Sequence, residues 1–108
     1  MENHEFLIEN NQVIANLTGS LQGEAAAQLR ATLLTYIADG YNSFTVDFSH
    51  VSNIDSTGLG ILVTIQKRAL QSGGSITIQG LHGTVKTAFD RTRLSKAFTI
   101  ADAEHAVA

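Results

Sequence analysis

The chain has no cysteine and no proline in its 108 residues. Without cysteine there is no disulfide framework and no thiolate metal site. Without proline, no fixed φ or missing N–H interrupts a series of helices and strands. Long apolar runs are also lacking. The longest, such as Ile61-Leu62-Val63, are a few residues, far short of the ~20 needed to span a bilayer. No membrane association is expected. The opening Met1-Glu2-Asn3-His4-Glu5 is polar and acidic, with no basic segment ahead of an apolar one. No secretory signal is expected there, and a cytoplasmic location follows as the default. The net charge of −3 offers no reason to expect nucleic acid.

What is present fits one ordinary domain, residues 1–108. Forty-four per cent of the chain is hydrophobic and 16% is charged, enough to bury a core and too apolar for disorder. No internal repeat, linker or low-complexity segment divides it. The charges are unevenly placed. Residues 1–60 hold seven acids and one base, Arg30, whereas residues 61–108 hold six bases and three acids. An acidic first half suits steering of a basic protein partner. Ordinary surface scatter is the other reading.

Phe6–Glu9 and Val13–Leu17 read as strands joined at Asn10-Asn11, residues that tolerate positive φ and so favour a hairpin. Gly19 is expected to end the second strand. Gly23–Asp39 reads as a helix with Ala26, Leu29, Leu33 and Ile37 on one side, closed by Gly40. Ser43–Phe48 is a third strand, rich in aromatic and β-branched residues. A second helix runs from about Thr57 to Ser72 and stops at Gly73-Gly74. Ser75–Gln79 is a fourth strand. His82–Thr92 is a third helix, with Val85, Phe89 and Thr92 on one side. Ala97–Ile100 forms a short last strand, and Asp102–Val107 a terminal helical turn capped by Asp102. A hairpin followed by strand–helix alternation predicts an α/β domain. Its sheet is mixed, mostly parallel and four- to five-stranded, with an antiparallel N-terminal edge and helices against it.

The second helix is unusually apolar. Leu59, Leu62, Val63, Gln66, Ala69 and Leu70 form one stripe, and Ile61 and Ile65 widen it to about half the circumference or more. Deep burial is one explanation. Partial exposure of the flank near the N-terminus, for a partner, is the other.

Asp55-Ser56-Thr57-Gly58-Leu59-Gly60 carries the chemistry. It lies between the third strand and the second helix, so a small hydroxyl sits at the mouth of a helix beside a carboxylate. Enzymatic readings of it fail on their own terms. Aspartic proteases need Asp-Thr-Gly, but Ser56 is inserted here and no second copy exists. A nucleophile elbow needs Gly-x-Ser-x-Gly, and Ser56 lacks those glycines. Gly58-x-Gly60 lacks the third glycine of a dinucleotide fingerprint, since position 63 is Val63, and no phosphate-loop Gly-Lys-Ser/Thr is present. His4, His50, His82 and His105 are too scattered for a metal site. A binding or switching module, not an enzyme, is expected. Either Asp55 or Ser56 can cap the helix. Glycines in its first turns each cost about 1 kcal/mol relative to alanine. Close strand–helix packing, or space for another protein's active site around Ser56, would justify that cost. From the residues alone, capping and modification both stand.

Val46-Asp47-Phe48-Ser49-His50-Val51-Ser52-Asn53-Ile54-Asp55-Ser56-Thr57-Gly58-Leu59-Gly60 resembles the signature of the anti-sigma factor antagonists, the bacterial STAS domains. Leu17-Thr18-Gly19, Gly73-Gly74 and Val85-Lys86-Thr87-Ala88-Phe89 fit in order, so the resemblance covers nearly the whole chain. It implies the STAS fold. It also implies that the serine after the aspartate is phosphorylated by a serine kinase that is itself the anti-sigma factor. The unphosphorylated antagonist binds that kinase and frees its client, and a PP2C-type phosphatase resets the cycle. Carried over, the phosphoacceptor is Ser56, and Asp55, Ser56, Thr57, Gly58 and Leu59 form the partner-binding surface. ATP and metal belong to the partners, so this chain is expected to hold no cofactor. Either a monomer or a weak homodimer fits. The pattern departs from the family at Gly19-Ser20-Leu21-Gln22, where members commonly carry a carboxylate. That departure points to a different partner or a rearranged contact. Regulation of a non-sigma output such as biofilm formation, or a fixed place in a transport complex, are the alternative roles that the family implies.

Overall fold

The Asn10-Asn11 pair does what its residue type allows. Both residues take positive φ, 51° and 65°, and the chain reverses between β1 (Glu5–Glu9) and β2 (Gln12–Leu21), which pair antiparallel. The computed structural model describes residues 4–96 and 98–101. After β2 come α1 (Gly23–Ala38), β3 (Ser43–Ile54), α2 (Ser56–Gln71), β4 (Ser75–Gln79) and α3 (Gly83–Arg91). A 3₁₀ turn at Leu94–Lys96 and β5 (Thr99–Ala101) complete the described part. The expected turn at Asp102–Val107 lies outside the described residues.

The five strands lie in the order β1-β2-β3-β4-β5, antiparallel only between β1 and β2. This is the mixed sheet that strand–helix alternation predicts. Every parallel step is made through a helix, and all three helices cover the same face. Alternation along the strands explains why. Val13, Ala15 and Leu17 of β2, Phe44, Val46 and Phe48 of β3, and Ile76 and Ile78 of β4 are buried, while the residues between them are half-exposed. Ala26, Leu29 and Leu33 of α1 and Val85 and Phe89 of α3 complete this core. The Phe48 and Phe89 rings meet edge-to-face at 5.7 Å. The opposite sheet face has no helix over it among the described residues.

Two strands run further than expected. β2 passes Gly19, which takes φ 87° at an irregular step in the register, and continues to Leu21. β3 passes Phe48 and continues to Ile54 beside it, pairing Gly19 with Val51 and Leu21 with Ile54. The segment Ser49–Ile54 looks polar, but Val51 and Leu21 are fully buried and anchor the extension. β5 starts two residues later than the Ala97 start expected.

The stripe on α2 is also shifted. Gly58, Leu59, Ile61, Leu62, Ile65, Gln66 and Ala69 are buried, whereas Leu70 is 57% exposed. Ile61 and Ile65, placed on the flank by the sequence, belong to the core, because α2 packs against both the sheet and α1. The buried Gln66 is satisfied: its Oε1 accepts the Ile76 backbone N–H at 2.8 Å, tying α2 to β4. Thr92, expected on the buried side of the third helix, is exposed at the C-cap of α3. Its hydroxyl donates to the Ala88 carbonyl.

Candidate functional site

The extensions of β2 and β3 place the Asp55–Gly60 segment. Side by side as far as Leu21 and Ile54, they deliver the chain to Asp55, whose N–H donates to the Leu21 carbonyl at 3.3 Å. Asp55 keeps an extended backbone, and α2 starts at the next residue. Its carboxylate decides the question of the cap. Oδ1 accepts the Gly58 N–H at 2.9 Å, and Oδ2 lies 3.4 Å from the Gly23 nitrogen at the start of α1. One carboxylate therefore serves the first turns of two helices, both of which present orphan N–H groups and a positive dipole end.

With the cap assigned to Asp55, Ser56 is released from that duty. Ser56 and Thr57 are exposed on the first turn of α2. Asp55 is half-buried, and Gly58 and Leu59 are buried. Five consecutive residues thus divide their work: Asp55 binds the two helix starts, Ser56 and Thr57 face outward, and Gly58 and Leu59 seat the turn on the sheet.

The two glycines have different causes. A Cβ on Gly58 would lie 2.7 Å from Ile54 Cγ1 and 2.8 Å from the Leu21 carbonyl oxygen, so only glycine lets α2 approach the end of β2 and β3. A Cβ on Gly60 would meet nothing within 4 Å. Gly60 is exposed, one helical turn after Ser56.

Behind the site, a polar network fixes the β3 extension. Asp47 accepts the Ser49 N–H at 2.7 Å and the Gln79 side-chain amide at 2.9 Å. Burial pushes the Asp47 carboxyl up. Hydrogen bonds from the Ser49 hydroxyl and backbone N–H and from Gln79, with the charge of His50, outweigh that and hold it below its ordinary value. His82 Nε2 donates to the Ser49 carbonyl at 3.0 Å, and the Thr84 hydroxyl donates to the Ser52 carbonyl at 3.0 Å. The start of α3 thus grips the strand that leads to Asp55. The sequence gives no sign of these contacts, since their partners are 30 or more residues apart. The link from Asp55 to Gly23, across 32 residues, is invisible for the same reason.

The Ser56 side chain makes no hydrogen bond among the described residues, so its hydroxyl is open to solvent. Among the described residues no three His, Cys, Asp or Glu side chains gather as metal ligands would. No helix of the described residues is long and apolar enough to cross a membrane.

Comparison with known proteins fits this geometry. The STAS domain family matches residues 5–107. The chain is a STAS domain. The resemblance carried by Val46–Gly60 is thereby borne out. This STAS domain is 30% identical over 90 residues to the anti-sigma-B factor antagonist of Bacillus subtilis, covering 83% of this chain and 82% of that one. Its fold matches the NMR structure of TM1081 from Thermotoga maritima with a TM-score of 0.81 and 28% identity, over 90% of this chain and 78% of that one. It matches the unphosphorylated form of SpoIIAA with a TM-score of 0.83 and 24% identity, over 97% and 93%. The five-stranded sheet with one antiparallel edge and three helices is the STAS fold that SpoIIAA displays.

Proposed function

We propose that this STAS domain is a phosphorylation-controlled protein-interaction switch of the anti-sigma factor antagonist type. Unphosphorylated, it binds a serine kinase that acts as an anti-sigma factor, or a similar regulator. Phosphorylation of Ser56 releases it, and a PP2C-type phosphatase restores it. Asp55, Ser56, Thr57, Gly58 and Leu59 form the docking segment, with Ser56 and Thr57 reaching the partner and Gly58 and Leu59 setting the turn's position.

The observation that carries this reading is the division of labour at the start of α2. Asp55 caps the helix through Gly58, which leaves Ser56 exposed and unengaged among the described residues. A serine kept only as a cap would be redundant there. Gly60 adds support. A glycine inside a helix costs about 1 kcal/mol relative to alanine, and no neighbour among the described residues needs the space. Close approach by another protein, one turn from Ser56, accounts for it.

A phosphate at Ser56 adds about −1.5 to −2 charges at pH 7. The N-termini of α1 and α2 converge on this corner and favour that charge, so the fold tolerates it. SpoIIAA in its phosphorylated form has the same fold, with a TM-score of 0.77 to this chain at 23% identity. The cost falls on the complex. Two unit charges ~4 Å apart repel by ~4 kcal/mol at an effective dielectric near 20, so an acidic partner surface facing the phosphate loses about 1,000-fold in affinity.

Intact mass of the protein from its native host, before and after phosphatase, tests the modification. A phosphatase-sensitive phosphate mapped to Ser56 is the expected result. A phosphate confined to Thr57, or none under any growth condition, contradicts it; the latter, with stable co-purification in a transport complex, would assign the domain a fixed structural role.

A further inference from the structure

Among the described residues β1 is an edge of the sheet and pairs on one side only, so its outer rim carries backbone groups open to another strand. Leu7 and Ile8, 47% and 44% exposed, are two of the three large hydrophobic side chains left exposed among the described residues. Neighbours in a strand project from opposite faces. Leu7 stands opposite Ile14 on the uncovered face, and Ile8 stands opposite Val13 on the helix face. A partner resting on either face would cover one of them. A strand added along the edge covers both.

The flanking charges select the occupant. Glu5 and Glu9 lie on either side of Leu7, on the same face. An open cavity of about 400 Å³ beside Glu5 is also lined by Asp47 and His50 and has no lysine or arginine in its wall. A second copy of this chain, paired antiparallel about Leu7, would set Glu5 against Glu9 at both ends. Paired parallel and in register, it would set each glutamate against its equal. Like charges directly opposite destabilise a strand pair, whereas opposite charges stabilise it.

We propose that β1 is a docking edge for an extended segment of another protein. That segment carries lysine or arginine at two positions four residues apart, around a β-branched centre. Main-chain hydrogen bonds supply the affinity and the two glutamates supply the choice. The edge is separate from the Ser56 surface: β1 pairs with β2 only as far as Asn16, whereas Asp55 bonds to β2 at Leu21.

The test fuses a strand of sequence Lys-Val-Thr-Val-Lys ahead of the full chain through a flexible Gly-Ser linker. Tethering raises its effective concentration to the millimolar range, and attachment at the start of β1 suits antiparallel pairing. A twin fusion carries Glu-Val-Thr-Val-Glu. Amide hydrogen exchange followed by NMR is the readout. The lysine strand should slow exchange at the β1 amides that do not bond to β2, on the order of 10-fold more than the glutamate strand, with the difference shrinking in high salt. The double variant Glu5→Lys/Glu9→Lys should prefer the glutamate strand, and Glu5→Gln/Glu9→Gln should discriminate between neither. Equal protection by both strands, or no protection of β1 by the lysine strand, overturns the proposal. So does a wild-type protein that sediments as a dimer with its β1 amides already protected, which would make a second copy the occupant.

Discussion

Gly58 and Gly60 stand two residues apart in one helix, and alanine should have opposite effects at the two positions. At Gly58 the new Cβ lies 2.7 Å from Ile54 Cγ1 and 2.8 Å from the Leu21 carbonyl oxygen. That oxygen is backbone and already accepts the Asp55 N–H, so relief requires α2 to move off the ends of β2 and β3. Overpacking of this kind costs about 1–3 kcal/mol, and the better helix propensity of alanine returns about 1 kcal/mol. Because the obstructing atom is backbone, the upper half of that range, about 2–3 kcal/mol, applies, and Gly58→Ala should be less stable by about 1–2 kcal/mol. At Gly60 the Cβ meets nothing within 4 Å, and only the propensity gain of up to about 1 kcal/mol remains. Urea unfolding of the wild type and both variants measures the two differences, and each kcal/mol should move the melting temperature by roughly 4–8 °C in a domain near this size. A Gly58→Ala protein as stable as the wild type, or a Gly60→Ala protein less stable than it, would refute this account of the two glycines.

Asp55→Ala removes the acceptor for the Gly58 N–H and the contact to Gly23. It should cost about 1 kcal/mol, within the 0.5–2 kcal/mol range for lost caps, read as a lower urea midpoint with an unchanged slope; Asp55→Asn should recover most of it. Asp47 supplies a pH-dependent contribution. Its folded-state pKa is lowered, so its stabilisation is fully present above the unfolded-state value of about 3.9 and is lost as pH falls through the lower folded-state value. The stability gap between wild type and Asp47→Asn should shrink as pH falls below about 4. A gap constant from neutral pH to acid contradicts that assignment.

Much of the architecture is legible in the residues because local signals agree with the fold. Asn10-Asn11 marks the hairpin, Gly40 takes φ 103° at the end of α1, and alternation in β4 gives its buried Ile76 and Ile78. The misreadings come where tertiary contact overrides composition. Ser49–Ile54 looks like a loop and is strand, because Val51 is buried beside Gly19 of an equally extended β2. Leu70 looks like core and is exposed, because α2 must serve two neighbours and its buried arc turns toward Ile61 and Ile65. At the site, the motif's position on a strand–helix junction can be read directly. The choice of Asp55 over Ser56 as cap cannot, since both side chains are able to accept N–H groups. Nor can the difference between Gly58 and Gly60, which depends on Leu21, far away in the sequence.

The central claim is that charge at Ser56 sets partner affinity while the fold stays intact. Calorimetric titration of the cognate serine kinase with Ser56→Ala, with the unphosphorylated protein and with the protein phosphorylated at Ser56 tests it most directly. Tight binding is expected for the first two and an affinity about 1,000-fold weaker for the third, with amide spectra showing the same fold throughout. Equal affinities for the phosphorylated and unphosphorylated proteins would contradict it.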